Sequence, residues 1–172
     1  MLVRRLLQPV TDDELLGLAA VLRDCVEGGA SLGWVGVPSV PVASVWWARF
    51  LDTSRTWIAV DDETDPEAPT IVGTVSMLAE TQESGRHRGE ISKLLVARRA
   101  RGLGLARRLM AEAEEQAQRI GIRLLILDTE SGTASESMYR RMGWATAGRI
   151  EDYAVGTDGT LHGSTIMTKR LG

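Results

Sequence analysis

Between Arg98 and Met110 the chain reads RRARGLGLARRLM, and here residue types and spacing point most directly to a ligand. An apolar strand pattern stops at about Ala97 and a helical pattern starts at about Gly104, with glycines and arginines between them. The first amides of a helix have no partner within it, and the helix dipole is positive at that end. Such a turn suits an anion, and a phosphate best. Gly102 and Gly104 let the main chain approach a bulky pyrophosphate. Arg98, Arg99, Arg101, Arg107 and Arg108 add positive charge around it. A Walker A loop is excluded, because the segment has no Lys-Ser or Lys-Thr. The dinucleotide fingerprint fits poorly, because Arg107 occupies its third glycine position. The pattern that fits is Arg-x-x-Gly-x-Ala, read as Arg101, Gly104 and Ala106. The plain alternative is an arginine-rich, solvated turn that only caps a helix.

The elements around this turn can be read in order. Residues 2–7 form a short strand, and Thr11 with Glu14 makes a capping box for a helix ended by Gly28-Gly29. A Gly/Pro/Ser-rich loop over 28–41 leads to a helix over about 42–51. Strands follow at 56–61, 71–80 and 90–97, with an acidic turn at 61–69 and a polar hairpin tip at 81–89. The helix after the glycine turn carries Leu105, Leu109, Ala113, Ala117 and Ile120 on one face and stops at Gly121. A nearly all-apolar buried strand at 123–129, a helix at 133–142, and two closing strands around Asp158-Gly159 complete the chain. Mixed strands and helices give an α/β (α+β) class, and no linker or repeat divides residues 1–172, so one domain is expected.

The Arg101–Gly104–Ala106 pattern resembles the acyl-CoA pyrophosphate loop of the GNAT (Gcn5-related N-acetyltransferase) superfamily. Tyr139, four residues before Gly143-Trp144, matches the tyrosine that this family places near the CoA sulfur. The family's asparagine, seven residues before the tyrosine, is Gly132 here, so Thr129, Ser131, Thr133 or Ser135 is expected to replace its pantetheine contact. The stretches VEGGASLGW (26–34), GEISKLLVARRARGLGLARRLM (89–110), LDTESGTASESMYRRMGW (127–144) and DGTLHGSTIMTKRLG (158–172) are similar to the tabtoxin-resistance type of GNAT acetyltransferase. The resemblance implies a mixed, mostly antiparallel sheet of about six to seven strands flanked by about four helices. It also implies acetyl-CoA as donor, without a metal, and transfer to the primary amine of a small, toxin- or antibiotic-like molecule by direct attack in a ternary complex.

Roles follow from that chemistry. The acceptor amine must lose a proton, the carbonyl oxygen needs donors as it becomes an oxyanion, and the departing thiolate needs a proton. Glu90 and Asp128 are the candidate bases, acting through water. Glu90 starts the strand leading to the turn; Asp128 ends an apolar strand, where a carboxylate is unusual. Solvated strand end and turn cap are the plain readings of the two. Tyr139 is the candidate acid, or a core tyrosine. Backbone groups of Leu94, Leu95 and Val96 are expected against the oxyanion and pantetheine. The phosphates fall to Arg101, Gly102, Leu103 and Gly104, and to Leu105, Ala106 and Arg107 at the helix start; Thr133, Ser135 and Tyr139 meet the other arm. Gly29, Ser31, Trp34 and Trp46 are expected in the acceptor wall, and adjacent Trp46 and Trp47 cannot both face it.

Composition limits the other classes. The 20 basic and 23 acidic side chains leave a net charge of −3, which gives no overall attraction to nucleic acid or acidic membranes. The arginine cluster lacks interleaved aromatic residues, a second count against nucleic-acid binding. Cys25 is the single cysteine and the histidines are His87 and His162, so neither a disulfide nor a multi-cysteine zinc site is expected. No apolar run reaches the ~20 residues of a bilayer span, and the cytoplasm is the default location. A protein or peptide N-acetyltransferase, a non-catalytic acyl-CoA sensor and a nucleic-acid-binding module remain the alternatives. A homodimer is the oligomer that the resemblance suggests.

Overall fold

A computed structural model describes residues 1–30, 32–62 and 70–172. Seven strands form one sheet in the order β1-β2-β3-β4-β5-β7-β6. They are β1 (Leu2–Arg5), β2 (Arg55–Asp61), β3 (Thr70–Ala79), β4 (Arg88–Val96), β5 (Leu124–Glu130), β6 (Ala145–Val155) and β7 (Leu161–Arg170). Four helices flank them: α1 (Asp12–Glu27), α2 (Val40–Leu51), α3 (Leu105–Arg119) and α4 (Ala134–Arg141). All neighbouring strands are antiparallel except β4 and β5, which α3 joins as a parallel crossover. The expected order of elements is the observed one. Boundaries moved by a few residues: β4 starts at Arg88, β7 reaches back to Leu161, and α2 begins at Val40. Of the expected acidic turn, residues 63–69 lie outside the described residues.

The sheet is covered on both faces. On one side α3 buries Leu105, Leu109, Met110, Ala113 and Ala117 against Val72, Val75, Met77, Leu125 and Leu127. Ile120, expected on that face, sits at the helix C-cap and is 41% exposed; Ile122, past the Gly121 turn, is buried instead. On the other side α1 and α2 pack Leu18, Leu22, Val26, Ala43 and Trp47 over Ile58 and Val60. Trp47 is fully buried and its indole N–H donates to the Leu18 carbonyl, tying the helix pair together. The Thr11–Glu14 capping box starts α1 as its sequence implies, and Glu14 also holds Arg4 of β1 at 2.8 Å.

Two features of this framework create a site. Pairing between β4 and β5 covers only Arg88↔Leu124, Gly89↔Leu125 and Glu90↔Ile126, although both strands run on. From Ile91 and Leu127 onward the two strands part. In addition, β4 carries an extra residue opposite Val75 of β3, where the register shifts between Leu95↔Thr74 and Ser92↔Ser76. Lys93 lies in this bulge with φ of 54°, a left-handed conformation that a non-glycine residue rarely adopts. Bulges bend their strand and redirect side chains.

Candidate active site

The glycine turn leaves an uncapped helix start open to solvent. Gly104 is the N-cap of α3, and no side chain caps that end. Gly102 and Gly104 have φ of 80° and 76°, so the turn requires glycine through its backbone. A Cβ at either would meet nothing within 4 Å, which leaves open space over the helix amides. The first amide bonded back into the helix is that of Arg108, to Gly104. Those of Leu105, Ala106 and Arg107 therefore face outward at the positive end of the dipole. Leu105 contributes only its main chain, because its side chain is core; Leu103 is exposed.

The arginines divide, and this corrects the expectation that five of them ring the phosphate. Arg98 is committed to α1: its amide donates to Asp24 at 2.7 Å, and its guanidinium binds Asp24 and Glu27. Arg99 reaches Asp61 and Thr70, and Arg108 donates to the Met1 carbonyl. Arg101 donates from Nε to the Val96 carbonyl at 3.2 Å, so it braces the turn from beneath. Only Arg107 has no such commitment among the described residues.

Along β4, the Ala97 amide donates to Val72 of β3. Bonded residues alternate in an antiparallel ladder. Leu95 therefore faces β3, while main-chain groups of Leu94 and Val96 face the widening gap. The Val96 carbonyl on that side is taken by Arg101 and by the Cys25 thiol. Of the three residues expected to offer backbone donors, the buried Leu95 is thus part of the sheet. Cys25 itself is buried, and burial pushes its thiol pKa up, which suits an inert packing residue.

Glu90 and Asp128 come together at the mouth of the gap. Glu90 pairs with Ile126, two residues before Asp128 on β5, so both carboxylates project from one face. Partial enclosure and then the Asp128 charge push the Glu90 pKa above the usual carboxylate range. Asp128 departs from expectation: β5 continues to Glu130, so it does not end the strand, and it caps no turn. It accepts a hydrogen bond from Ser164 of β7 at 3.1 Å and opens to solvent. Thr133, not Asp128, starts the next helix.

Lys93 completes the cluster and was not foreseen. Its Nζ lies 5.4 Å from the Trp46 ring centroid, beneath α2. Burial pushes its pKa down, while the charges of Asp128 and Glu90 act in the opposite sense. Residues three apart on a regular strand face opposite ways. The bulge brings Lys93 into the company of Glu90 in spite of that spacing. Scarcity was the available signal: the chain has 18 arginines but only two lysines, Lys93 and Lys169.

Tyr139 of α4 is buried, and its ring meets Trp144 edge-on at 6.1 Å. Burial, and then Asp128, hold its hydroxyl protonated far beyond neutral pH. Among the described residues that hydroxyl has no hydrogen-bond partner. The loop before α4 is fixed by the buried Glu136, which accepts from the Gly132 amide and binds Arg140 and Arg149. The amide and then the two guanidiniums hold its pKa down. Gly132 has φ of 78°. Thr133 donates to the Glu130 carbonyl and caps Glu136, and Ser131 bonds Thr165. Both hydroxyls are thereby occupied; Thr129 and the exposed Ser135 remain as replacements for the family's asparagine.

On the α2 side, Trp46 stacks on Phe50 at 5.0 Å and meets Trp34 edge-on at 6.4 Å. Trp46 thus covers the site while Trp47 fills the core. Gly29 ends α1 in an exposed turn with φ of 86°. Ser31, expected in the same wall, lies outside the described residues.

A parallel strand pair that parts beside a glycine-rich helix start is the framework of the candidate site. The pattern of the Acetyltransferase (GNAT) family matches residues 27–144, and the chain belongs to that family. It is similar to an uncharacterized N-acetyltransferase from the hisH-hisA intergenic region of Azospirillum brasilense, 30% identical over 137 residues, covering 78% of this chain and 79% of the relative. Among solved structures, a ribosomal-protein-alanine N-acetyltransferase from Brucella melitensis superposes with a TM-score of 0.77 at 27% identity, covering 99% of this chain and 100% of that one. The yncA acetyltransferase of Salmonella typhimurium, solved with acetyl-CoA, superposes with a TM-score of 0.78 at 18% identity, covering 100% of this chain and 94% of that one. No helix of the described residues is long and apolar enough to cross a membrane.

Proposed function

We propose that the protein transfers an acetyl group from acetyl-CoA to the primary amine of a small molecule. The observation that carries this reading is the β4–β5 gap, with the uncapped α3 start at one end and the Glu90–Asp128 pair at the other. The free amides over Leu105–Arg107 and the space above Gly102 and Gly104 fit a pyrophosphate. When bound, acetyl-CoA supplies an acetyl group activated as a thioester. Amides of Leu94 and Val96 are the groups of this chain that turn toward a developing oxyanion. Glu90 or Asp128 takes the proton of the acceptor amine through a water molecule. Tyr139 offers its hydroxyl to the departing sulfur; its raised pKa makes it a hydrogen-bond donor more than a full proton source.

The wall of Trp34, Trp46 and Phe50 favours a small acceptor with an apolar body, and the two carboxylates favour a cationic amine. A toxin- or antibiotic-like amino compound is the acceptor class that the sequence resemblance suggests. A peptide N-terminus is the second reading, favoured by the Brucella relative's 27% identity across 99% of this chain. Calorimetric titration with acetyl-CoA, followed by an acetylation screen of small amines and peptides, tests both. Binding at one site per chain with turnover of small amines is expected. Turnover of peptides alone replaces the first reading by the second, and absence of acetyl-CoA binding removes both.

A further inference from the structure

We propose that Lys93 is itself an acetyl acceptor, modified in its own site when acetyl-CoA is present and no foreign amine competes. The proposal rests on the acetyl-CoA reading above. An N-acetyltransferase must bring an amine to the mouth of the β4–β5 gap, beside carboxylates that receive its proton. The chain already holds one there. The left-handed bulge at Lys93 places its Nζ beneath Trp46, under the electrostatic influence of both Glu90 and Asp128. Neither carboxylate closes an ion pair with it among the described residues. Strained non-glycine backbone of this kind persists where a structure over-determines it, commonly at functional sites.

Lys169, the other lysine, is the internal contrast. Its Nζ is 2.7 Å from Glu114 and 2.9 Å from the Met142 carbonyl, on the far side between α3 and α4. That ammonium is tied up in an ion pair and a hydrogen bond. At Lys93, burial favours the neutral, nucleophilic amine.

The step balances without any further reactant. The Nζ lone pair forms a C–N bond to the acetyl carbon, and the C–S bond breaks with its electrons leaving on sulfur. Nζ gives up a proton to Glu90 or Asp128 through water, and the thiolate takes one up. The products are N-acetyl-lysine and CoA. Acetylation would remove the Lys93 charge on which Glu90 and Asp128 act and add bulk under Trp46, so the modified chain would accept foreign amines poorly.

The test is to incubate the purified full chain with acetyl-CoA alone and to follow its intact mass and peptide map. One added acetyl group, mapped to Lys93 and not to Lys169, is expected. It should be suppressed by excess CoA and absent in Lys93→Arg. If that variant does not fold, the peptide map of the unaltered chain still carries the answer. A second readout needs no donor: trace acetic anhydride on the ligand-free protein should label Lys93 faster than Lys169, by about tenfold or more near neutral pH. Calorimetric binding of acetyl-CoA with Lys93 left unmodified, or modified no faster than Lys169, overturns this proposal alone. Failure of acetyl-CoA to bind overturns it together with the reading it rests on.

Discussion

The glycine turn at 101–104 and the wall of Glu90, Lys93, Trp46 and Asp128 border one gap, yet they are made of different material. The turn offers main-chain amides and empty space, held by glycines in left-handed conformations. The wall offers side chains drawn from β4, α2 and β5, with charges that shift one another. A backbone seat tolerates many sequences so long as its few glycines stay. A side-chain wall changes whenever one residue changes. Under the acetyl-CoA reading proposed above, this division lets the donor seat stay constant while the acceptor wall varies, because the two halves rest on different parts of the sequence.

If the halves are separable, variants on one side should leave the other's readout alone. The largest effect is expected from Glu90→Gln combined with Asp128→Asn. It should lower kcat/KM by on the order of a hundredfold or more, with acetyl-CoA affinity unchanged by calorimetry. A matching loss of donor affinity would break the comparison. Tyr139→Phe should reduce kcat by roughly tenfold or more while donor binding persists, because the ring stays and only the hydroxyl goes. Equal turnover in this variant would remove Tyr139 from the chemistry.

Gly104→Val acts on the other half. A β-branched residue at φ of 76° is strained, at a cost of about 1–2 kcal/mol, and its side chain would fill the pyrophosphate space. Weaker acetyl-CoA binding is the expected calorimetric result, with little change in the pH profile at saturating donor. Smaller still is a shift of that profile. A base works only when deprotonated, so the raised Glu90 pKa puts the acid limb of kcat/KM above the usual carboxylate range. Asp128→Asn should move that limb toward lower pH, since it removes a charge that raises Glu90. An unmoved limb would assign it to another group. Thr133→Ala removes the α4 cap and the bond to the Glu130 carbonyl and should cost about 1 kcal/mol of stability in a denaturant titration.

The backbone half was legible in the sequence and much of the side-chain half was not. Glycines at a strand-to-helix junction carry their conformation with them, so Gly102 and Gly104 could be read directly. The α3 face was also readable, except at Ile120, where the helix ended before its periodicity did. The partners of Arg98 and Arg99 are not legible, because a charge cluster in sequence says nothing of groups distant along the chain, here Asp24 and Asp61. Lys93 escaped because a bulge is an extra residue set by strand pairing, invisible in β4 alone. Thr133 carries two signals at once, since a threonine three residues before Glu136 is also an N-cap, and the structure shows that cap.

The clasp between Arg98 and the acidic end of α1 has a thermodynamic side. Asp24 accepts both the amide and the guanidinium of the residue that opens the glycine turn. The seat is thereby held in place by the rest of the fold before any ligand arrives, so an anion that enters it has less ordering entropy to offset.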